Sequence, residues 1–374
     1  MAGLYIHVPF CKQACHYCDF HFSTQSNYIP NLCDAIIKEL ALQKDFLSEP
    51  IETIYFGGGT PSLLSHRQLE SLFNAIHKHY QVKSGIEVTL EANPDDLTPD
   101  YSKGLTNVGV NRLSIGIQSF DDAVLKFLNR SHDKAQAIKA IEIAQNAGIH
   151  NLNVDLIYAI PNRSRISLQT DLDVLNQLKP DHISAYSLTI EPKTAFGKWT
   201  EVGKFTPDTE EENAYQFELV MDFLEHAGYQ HYEISNYSLP GRHSVHNSSY
   251  WQQKKYLGVG PSAHSYNGQE RWINVSNNHS YIKALSEHTL PTAIEVLSKR
   301  NKINEYIMTS LRTMWGCDVA SLIAHYDFNL VEQNKIYFNE GLTKGLFTFQ
   351  DNVIQLTRKG KLFADSIAAE FFVV

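Results

Sequence analysis

The chain has 374 residues and a formal net charge of −9, with 32 Lys and Arg against 41 Asp and Glu. That balance gives no electrostatic footprint for nucleic acid or an anionic membrane, and no apolar run approaches the roughly 18 residues that span a bilayer. The first residues lack the basic and apolar regions of a secretory signal, and five cysteines, three of them clustered, predict a cytoplasmic cofactor protein rather than a disulfide-stapled one.

Residues 3–8 read as a short strand ending at Pro9. The cysteine stretch Cys11-Lys-Gln-Ala-Cys15-His-Tyr-Cys18 follows. A helix begins at Leu32, with Leu32, Ile36 and Leu40 on one face. A strand over 51–56 runs into Gly57-Gly58-Gly59-Thr60-Pro61. Ser65 to Gln68 has capping-box form ahead of the stripe Leu69, Leu72, Phe73 and Ile76. A strand over 86–91 precedes a helix opened by Thr98-Pro99. Strand 112–118, helix 133–147 stopped by Gly148, strand 152–157, helix 167–178 and strand 182–188 complete the series.

Strand and helix alternate six times, which implies parallel strands with right-handed crossovers. The fold expected is α/β, a partial (β/α)6 TIM-like barrel over residues 1–228. A doubly wound open sheet competes, but its G-x-G-x-x-G fingerprint is absent. In parallel barrels chemistry collects at the C-terminal strand ends. Those ends carry Cys11–Cys18, Gly57–Thr60, Glu91, Gln118, Asp155 and Thr189.

A helix over 214–226 follows. Residues 229–290 read as a mixed region rich in Tyr, His, Asn and Ser. Residues 291–374 read as a small helical, winged-helix-like module, with helices over 304–313, 319–324 and 330–340. A hairpin around Asp351-Asn352 and a last helix from about Lys359 complete it. DNA binding does not follow from that shape, because residues 291–374 carry nine Lys and Arg against nine Asp and Glu.

The cysteine spacing is C-x3-C-x2-C, and three thiolates so close can converge on one soft metal centre. A zinc site would need a fourth ligand such as His16, Asp19 or His21. An iron–sulfur cube held by three cysteines leaves one iron open to a reactant. Cys33 and Cys317 stand apart and read as packing residues. The glycine loop lets backbone approach a ligand closely. Glu91 can accept hydrogen bonds, Arg130 can meet a carboxylate with its fork of donors, and Asp155 is a carboxylate in an apolar strand. A structural ion pair between Arg130 and Asp155 is the plain alternative.

Tyr5-Ile-His-Val-Pro-Phe-Cys11, Phe56-Gly-Gly-Gly-Thr-Pro-Ser62, Glu91-Ala-Asn-Pro94, Ser114-Ile-Gly-Ile-Gln-Ser-Phe120 and Asp155-Leu-Ile-Tyr158 together resemble the HemN-like branch of radical S-adenosylmethionine (SAM) proteins. The resemblance implies that Cys11, Cys15 and Cys18 hold a 4Fe–4S cluster. It also implies that Tyr5, Tyr17, Gly58, Gly59, Thr60, Glu91, Gln118, Arg130, Asp155 and Thr189 bind SAM. Reductive cleavage of SAM to methionine and a 5′-deoxyadenosyl radical is the chemistry such cofactors supply.

The coproporphyrinogen dehydrogenases of that branch carry a fourth cysteine where this chain has Phe20, and a longer segment ahead of the cluster. Cys18-Asp-Phe20, His246-Asn-Ser-Ser-Tyr-Trp251 and Gly258-Val-Gly-Pro-Ser-Ala-His264 instead resemble the HemW family of haem chaperones. That resemblance implies haem binding with His246 as axial ligand, Tyr250 and Trp251 as flat packing faces, and His243 and His264 as rival ligands. It further implies client haemoproteins, membrane respiratory enzymes among them, and an electron donor such as a flavodoxin or ferredoxin. Oxidative decarboxylation of coproporphyrinogen III and a HemN-like methyl transfer are the alternative activities.

Overall fold

The computed structural model describes residues 2–161, 163 and 165–373. Six strands form the parallel series: β1 (Ala2–Val8), β2 (Ile51–Gly58), β3 (Val82–Ala92), β4 (Arg112–Gln118), β5 (Asn151–Tyr158) and β6 (His182–Ser187). They lie side by side in chain order, each paired parallel with the next. Helices Ile29–Leu42, His66–His79, Pro99–Asn107, Lys134–Asn146 and Arg165–Leu178 cover the outer face. β1 and β4 are buried along nearly their whole length, with apolar residues towards the helices alternating with polar ones towards the interior. The capping box at Ser65 and Gln68 forms as the sequence predicts.

The register stacks inward-facing residues in layers. Gly3, Thr53 and Glu87 form one layer, Tyr5, Tyr55 and Thr89 the next. The thrust of the barrel interior is polar: Arg112, Ser114, Asn153, His182 and Ser184 are all buried. These polar groups are tied to one another. His182 contacts Asn153 Oδ1 at 2.6 Å and the Tyr232 hydroxyl at 2.7 Å.

Residues 229–290 depart from the expected separate region. Strands β7 (Gln230–Glu233) and β8 (Asn236–Ser238) extend the sheet antiparallel beyond β6. On the other edge, β9 (Lys255–Val259) pairs parallel with β1, and β10 (His264–Tyr266), β11 (Glu270–Asn274) and β12 (Thr292–Val296) follow antiparallel. The result is one 12-stranded open sheet. A cut at either 228/229 or 290/291 removes strands from it. The main hydrophobic core accordingly runs from Ala2 to Leu285, and a second core from Ile303 to Phe371.

A buried carboxylate fastens the added strands to the barrel. Glu39, on the Ile29–Leu42 helix, accepts from Gly260 N at 2.8 Å, Asn274 Nδ2 at 2.7 Å and Gln43 Nε2 at 2.8 Å, and from the Tyr281 hydroxyl. Four donors offset the cost of burying the group.

The C-terminal module packs helices Lys299–Leu311, Val319–Tyr326 and Lys335–Thr343 on a three-stranded sheet. Its strands are β13 (Cys317–Asp318), β14 (Phe347–Gln350) and β15 (Val353–Leu356). Asp351 and Asn352 both adopt positive φ, 50° and 64°, as a tight hairpin requires. Cys33 and Cys317 are buried among apolar side chains, the packing role expected of them.

Candidate functional site

The cysteine loop leaves β1 and is held by backbone and side-chain contacts on three sides. Cys11 N donates to Ser23 O at 3.0 Å, and Ser23 N returns to Pro9 O at 2.8 Å. His16 N donates to Leu128 O, and Asn129 Nδ2 donates to Ala14 O at 2.7 Å. Lys12 bridges Asp95 at 2.8 Å and also pairs with Asp96. The loop is thus fixed to the segments that follow β3 and the Asp122–Phe127 helix. His16 and His21, the imidazole candidates for a zinc site, are engaged elsewhere. His16 Nδ1 contacts Phe127 O at 2.9 Å, and His21 Nε2 contacts Asn278 Oδ1 at 2.7 Å.

The glycine loop abuts the cysteine loop. Gly58 has φ of 111°, and a Cβ there would lie 2.6 Å from the His7 ring. A Cβ on Gly59 would lie 2.7 Å from the Phe10 backbone. Only glycine lets the end of β2 lie this close to the start of the cysteine loop.

One cavity of about 500 Å³ opens at the C-terminal ends of the strands. Cys11, Cys15 and Cys18 line it, together with Tyr17, Gly58, Gly59, Thr60, Glu91, Gln118, Arg130, Asp155 and Thr189. Tyr5 lies one layer deeper, its ring stacked on Tyr55 with centroids 6.0 Å apart. The structure therefore brings together all the predicted SAM residues except Tyr5. Sequence reasoning missed Asn93, Ser114 and Tyr186 on the same wall. Asn93 stood within the quoted Glu-Ala-Asn-Pro stretch, so its motif was visible although its contact was not.

Arg130 is not paired with Asp155. Its Nη2 donates to Asn93 Oδ1 at 2.6 Å and to Gly116 O at 2.7 Å, and its Nη1 donates to Cys15 Sγ at 3.3 Å. Its Nε is buried without a partner. A buried donor left open is costly, and it fits an acceptor supplied by a ligand. Glu91 accepts from the Tyr55 hydroxyl at 2.8 Å and from Gly58 N at 3.1 Å. Burial pushes the Glu91 carboxyl up to about 7 and the Asp155 carboxyl up to about 6. Gln118 sits at φ 69°, an unfavourable backbone for a non-glycine residue, at the point where β4 breaks register with β5.

Among the described residues no three His, Cys, Asp or Glu side chains close around a single metal ion. The thiols share a cavity without meeting at one point. Three thiols lining one cavity are a donor set that a 4Fe–4S cluster with one open iron would use.

His246 departs from the sequence expectation. It lies on a short helix, Val245–Trp251, at the N-terminal end of the barrel, and only 1% of its surface is exposed. Its Nδ1 contacts Thr53 Oγ1 at 2.8 Å, and its Nε2 contacts the Tyr250 hydroxyl at 2.8 Å. With both ring nitrogens engaged and the ring enclosed, His246 offers no lone pair to haem in this conformation. His243 is different: it is half-buried, with one face on Tyr232 at 4.5 Å and an edge contact to Trp315 at 5.9 Å. His264 is exposed.

An open parallel barrel whose C-terminal mouth carries three thiols, a glycine loop and buried polar acceptors defines a radical SAM protein, and the Radical SAM superfamily model matches residues 5–175. Proteins named heme chaperone HemW are similar along the whole chain. That of Lactococcus lactis subsp. lactis is 34% identical, covering 99% of this chain and 97% of that protein. That of Bacillus subtilis is 33% identical, covering 99% of each, and that of Escherichia coli 31%, covering 99% and 97%. The chain belongs to the HemW family. A solved structure of coproporphyrinogen III oxidase, HemN, from Escherichia coli superimposes with a TM-score of 0.86. It covers 100% of this chain and 90% of that one at 22% identity. At that identity the likeness bears on the fold.

Proposed function

We propose that this protein is a radical SAM haem chaperone: it binds a 4Fe–4S cluster and SAM in the mouth of the barrel, and it carries haem to client haemoproteins. The single observation that supports the cofactor reading is the shared cavity, where three thiols face the predicted SAM residues. Cys11, Cys15 and Cys18 would hold the cluster. Arg130 would meet the SAM carboxylate, and Glu91 would accept from its amino group. Bound there, the cluster and SAM would supply one-electron reductive chemistry. The chain's own residues bind, orient and enclose. Electrons would come from a flavodoxin or ferredoxin, and clients would include membrane respiratory enzymes. No helix among the described residues is long and apolar enough to cross a membrane. Free thiols at a cluster site suit the reducing cytoplasm.

Haem binding rests on family membership and on a surface beside the Val245–Trp251 helix. His243 presents a ring whose Nε2 contacts Gln230 Oε1 at 3.2 Å. Val245 and Trp315 beside it are 47% and 40% exposed, an apolar face suited to a macrocycle. Arg242 lies next in the chain, its guanidinium exposed and loosely paired with Asp181 at 3.7 Å, and it suits a propionate. His243 is therefore the favoured axial ligand, ahead of His246.

The test is the Soret spectrum and haem affinity of wild type against His243→Ala, His246→Ala and His264→Ala. His243→Ala should change the spectrum and lose at least about tenfold in affinity, whereas the other two should keep the wild-type spectrum. An unchanged spectrum in His243→Ala would place the ligand elsewhere.

A further inference from the structure

The Val245–Trp251 helix closes the barrel at the end opposite the cavity, yet it connects to the cavity wall through one side chain. Glu87 on β3 anchors the helix, accepting from Val245 N at 3.0 Å and His246 N at 2.9 Å. The imidazole of His246 then enters the barrel between Gly3 and Thr53. A Cβ on Gly3 would lie 3.3 Å from the His246 ring, so β1 leaves the space the ring needs. The ring stacks on Tyr55 with centroids 5.0 Å apart and planes at 26°. The Tyr55 hydroxyl, one layer further along, donates to the Glu91 carboxylate that lines the cavity.

We propose that this helix is a positioning element for the SAM site: His246 sets the ring of Tyr55, and Tyr55 sets the carboxylate of Glu91. The proposal rests on the SAM reading of the cavity given above. It assigns the His-Asn-Ser-Ser-Tyr-Trp stretch a role inside the barrel, where the structure has buried its histidine. Thr53 and Tyr250 fix the imidazole at both nitrogens, so the ring has one orientation to offer Tyr55. Removing it opens space beneath Tyr55, and a tilt of that ring carries the hydroxyl off Glu91. That hydroxyl holds one carboxylate oxygen, and Gly58 N holds the other at 3.1 Å. Burial raises its proton affinity, and the Tyr55 hydroxyl opposes the rise.

The experiment is a double-mutant cycle on the reconstituted holoprotein, with SAM affinity as the readout. Iron content and Tm are measured for every variant. Tyr55→Phe keeps the ring and removes only the hydroxyl. It should weaken SAM binding about tenfold with iron content unchanged. His246→Ala should weaken it to a similar degree. In the Tyr55→Phe background, His246→Ala should have almost no further effect, because the link to Glu91 is already cut. A generally loosened fold would instead add its own loss. Wild-type SAM binding with unaltered affinity in Tyr55→Phe would overturn the coupling and leave the SAM reading standing, as would fully additive losses in the double variant. Absence of SAM binding by the wild type would overturn both.

Discussion

A Cys15→Ala protein, reconstituted anaerobically with iron and sulfide, should hold no cluster, where the wild type holds about four irons and four sulfides. Cys11→Ala and Cys18→Ala should behave alike. On the proposed assignment each thiolate would supply one of three protein ligands, with the fourth iron left for SAM. Cys33 and Cys317 are buried in apolar packing, away from the cavity, and their alanine variants should reconstitute normally. The neighbouring imidazoles are each tied through one ring nitrogen, His16 to Phe127 O and His21 to Asn278 Oδ1. Full iron content in Cys15→Ala would remove the cluster from this site.

Arg130→Ala should weaken SAM binding about a hundredfold, the larger of the expected effects on that ligand. Truncating one partner of a buried, hydrogen-bonded charge pair costs roughly 2–5 kcal/mol. Arg130 is held ready for it by Asn93 and Gly116, and its Nε has no partner among the described residues. Arg130→Lys should recover little, because an ammonium is a point charge and lacks the planar fork. Iron content must be read alongside, since Arg130 also donates to Cys15 Sγ. SAM affinity within twofold of wild type in Arg130→Ala would mean that the carboxylate is bound by other groups.

Much of the barrel was legible because each unit carries its own local signal. Apolar strands end in polar residues, and helices begin at Ser65, Thr98 and Asp133, all of which cap as expected. Boundaries slipped where a signal competed. The first helix starts at Ile29 rather than Leu32, with Pro30 in its first turn. The Asp122–Phe127 helix, capped by Asp121, is a single short run too brief for periodicity to reveal. Residues 229–290 hid their place in the sheet for the same reason. Their strands are three to five residues long, and pairing of β9 with β1 spans most of the chain.

The site divides in the same way. Residues at strand ends line one cavity because strand polarity dictates where they point. The burial of His246 was not legible, because sequence names a residue type capable of ligation and is silent on packing. The two hydroxyls that occupy its nitrogens come from Thr53, 193 positions away, and from Tyr250, one helical turn on. Such occupancy is a property of packing. His243, only three residues earlier, escapes it because it stands at the surface where the helix begins.

As a member of the HemW family, this protein should carry haem. The direct measurement is gel filtration of cluster-loaded protein mixed with increasing haemin, read at the protein and Soret bands together. Haem should co-elute with the protein and saturate at a fixed ratio per chain. Haemin that runs apart from the protein, or that associates without saturating, would contradict it.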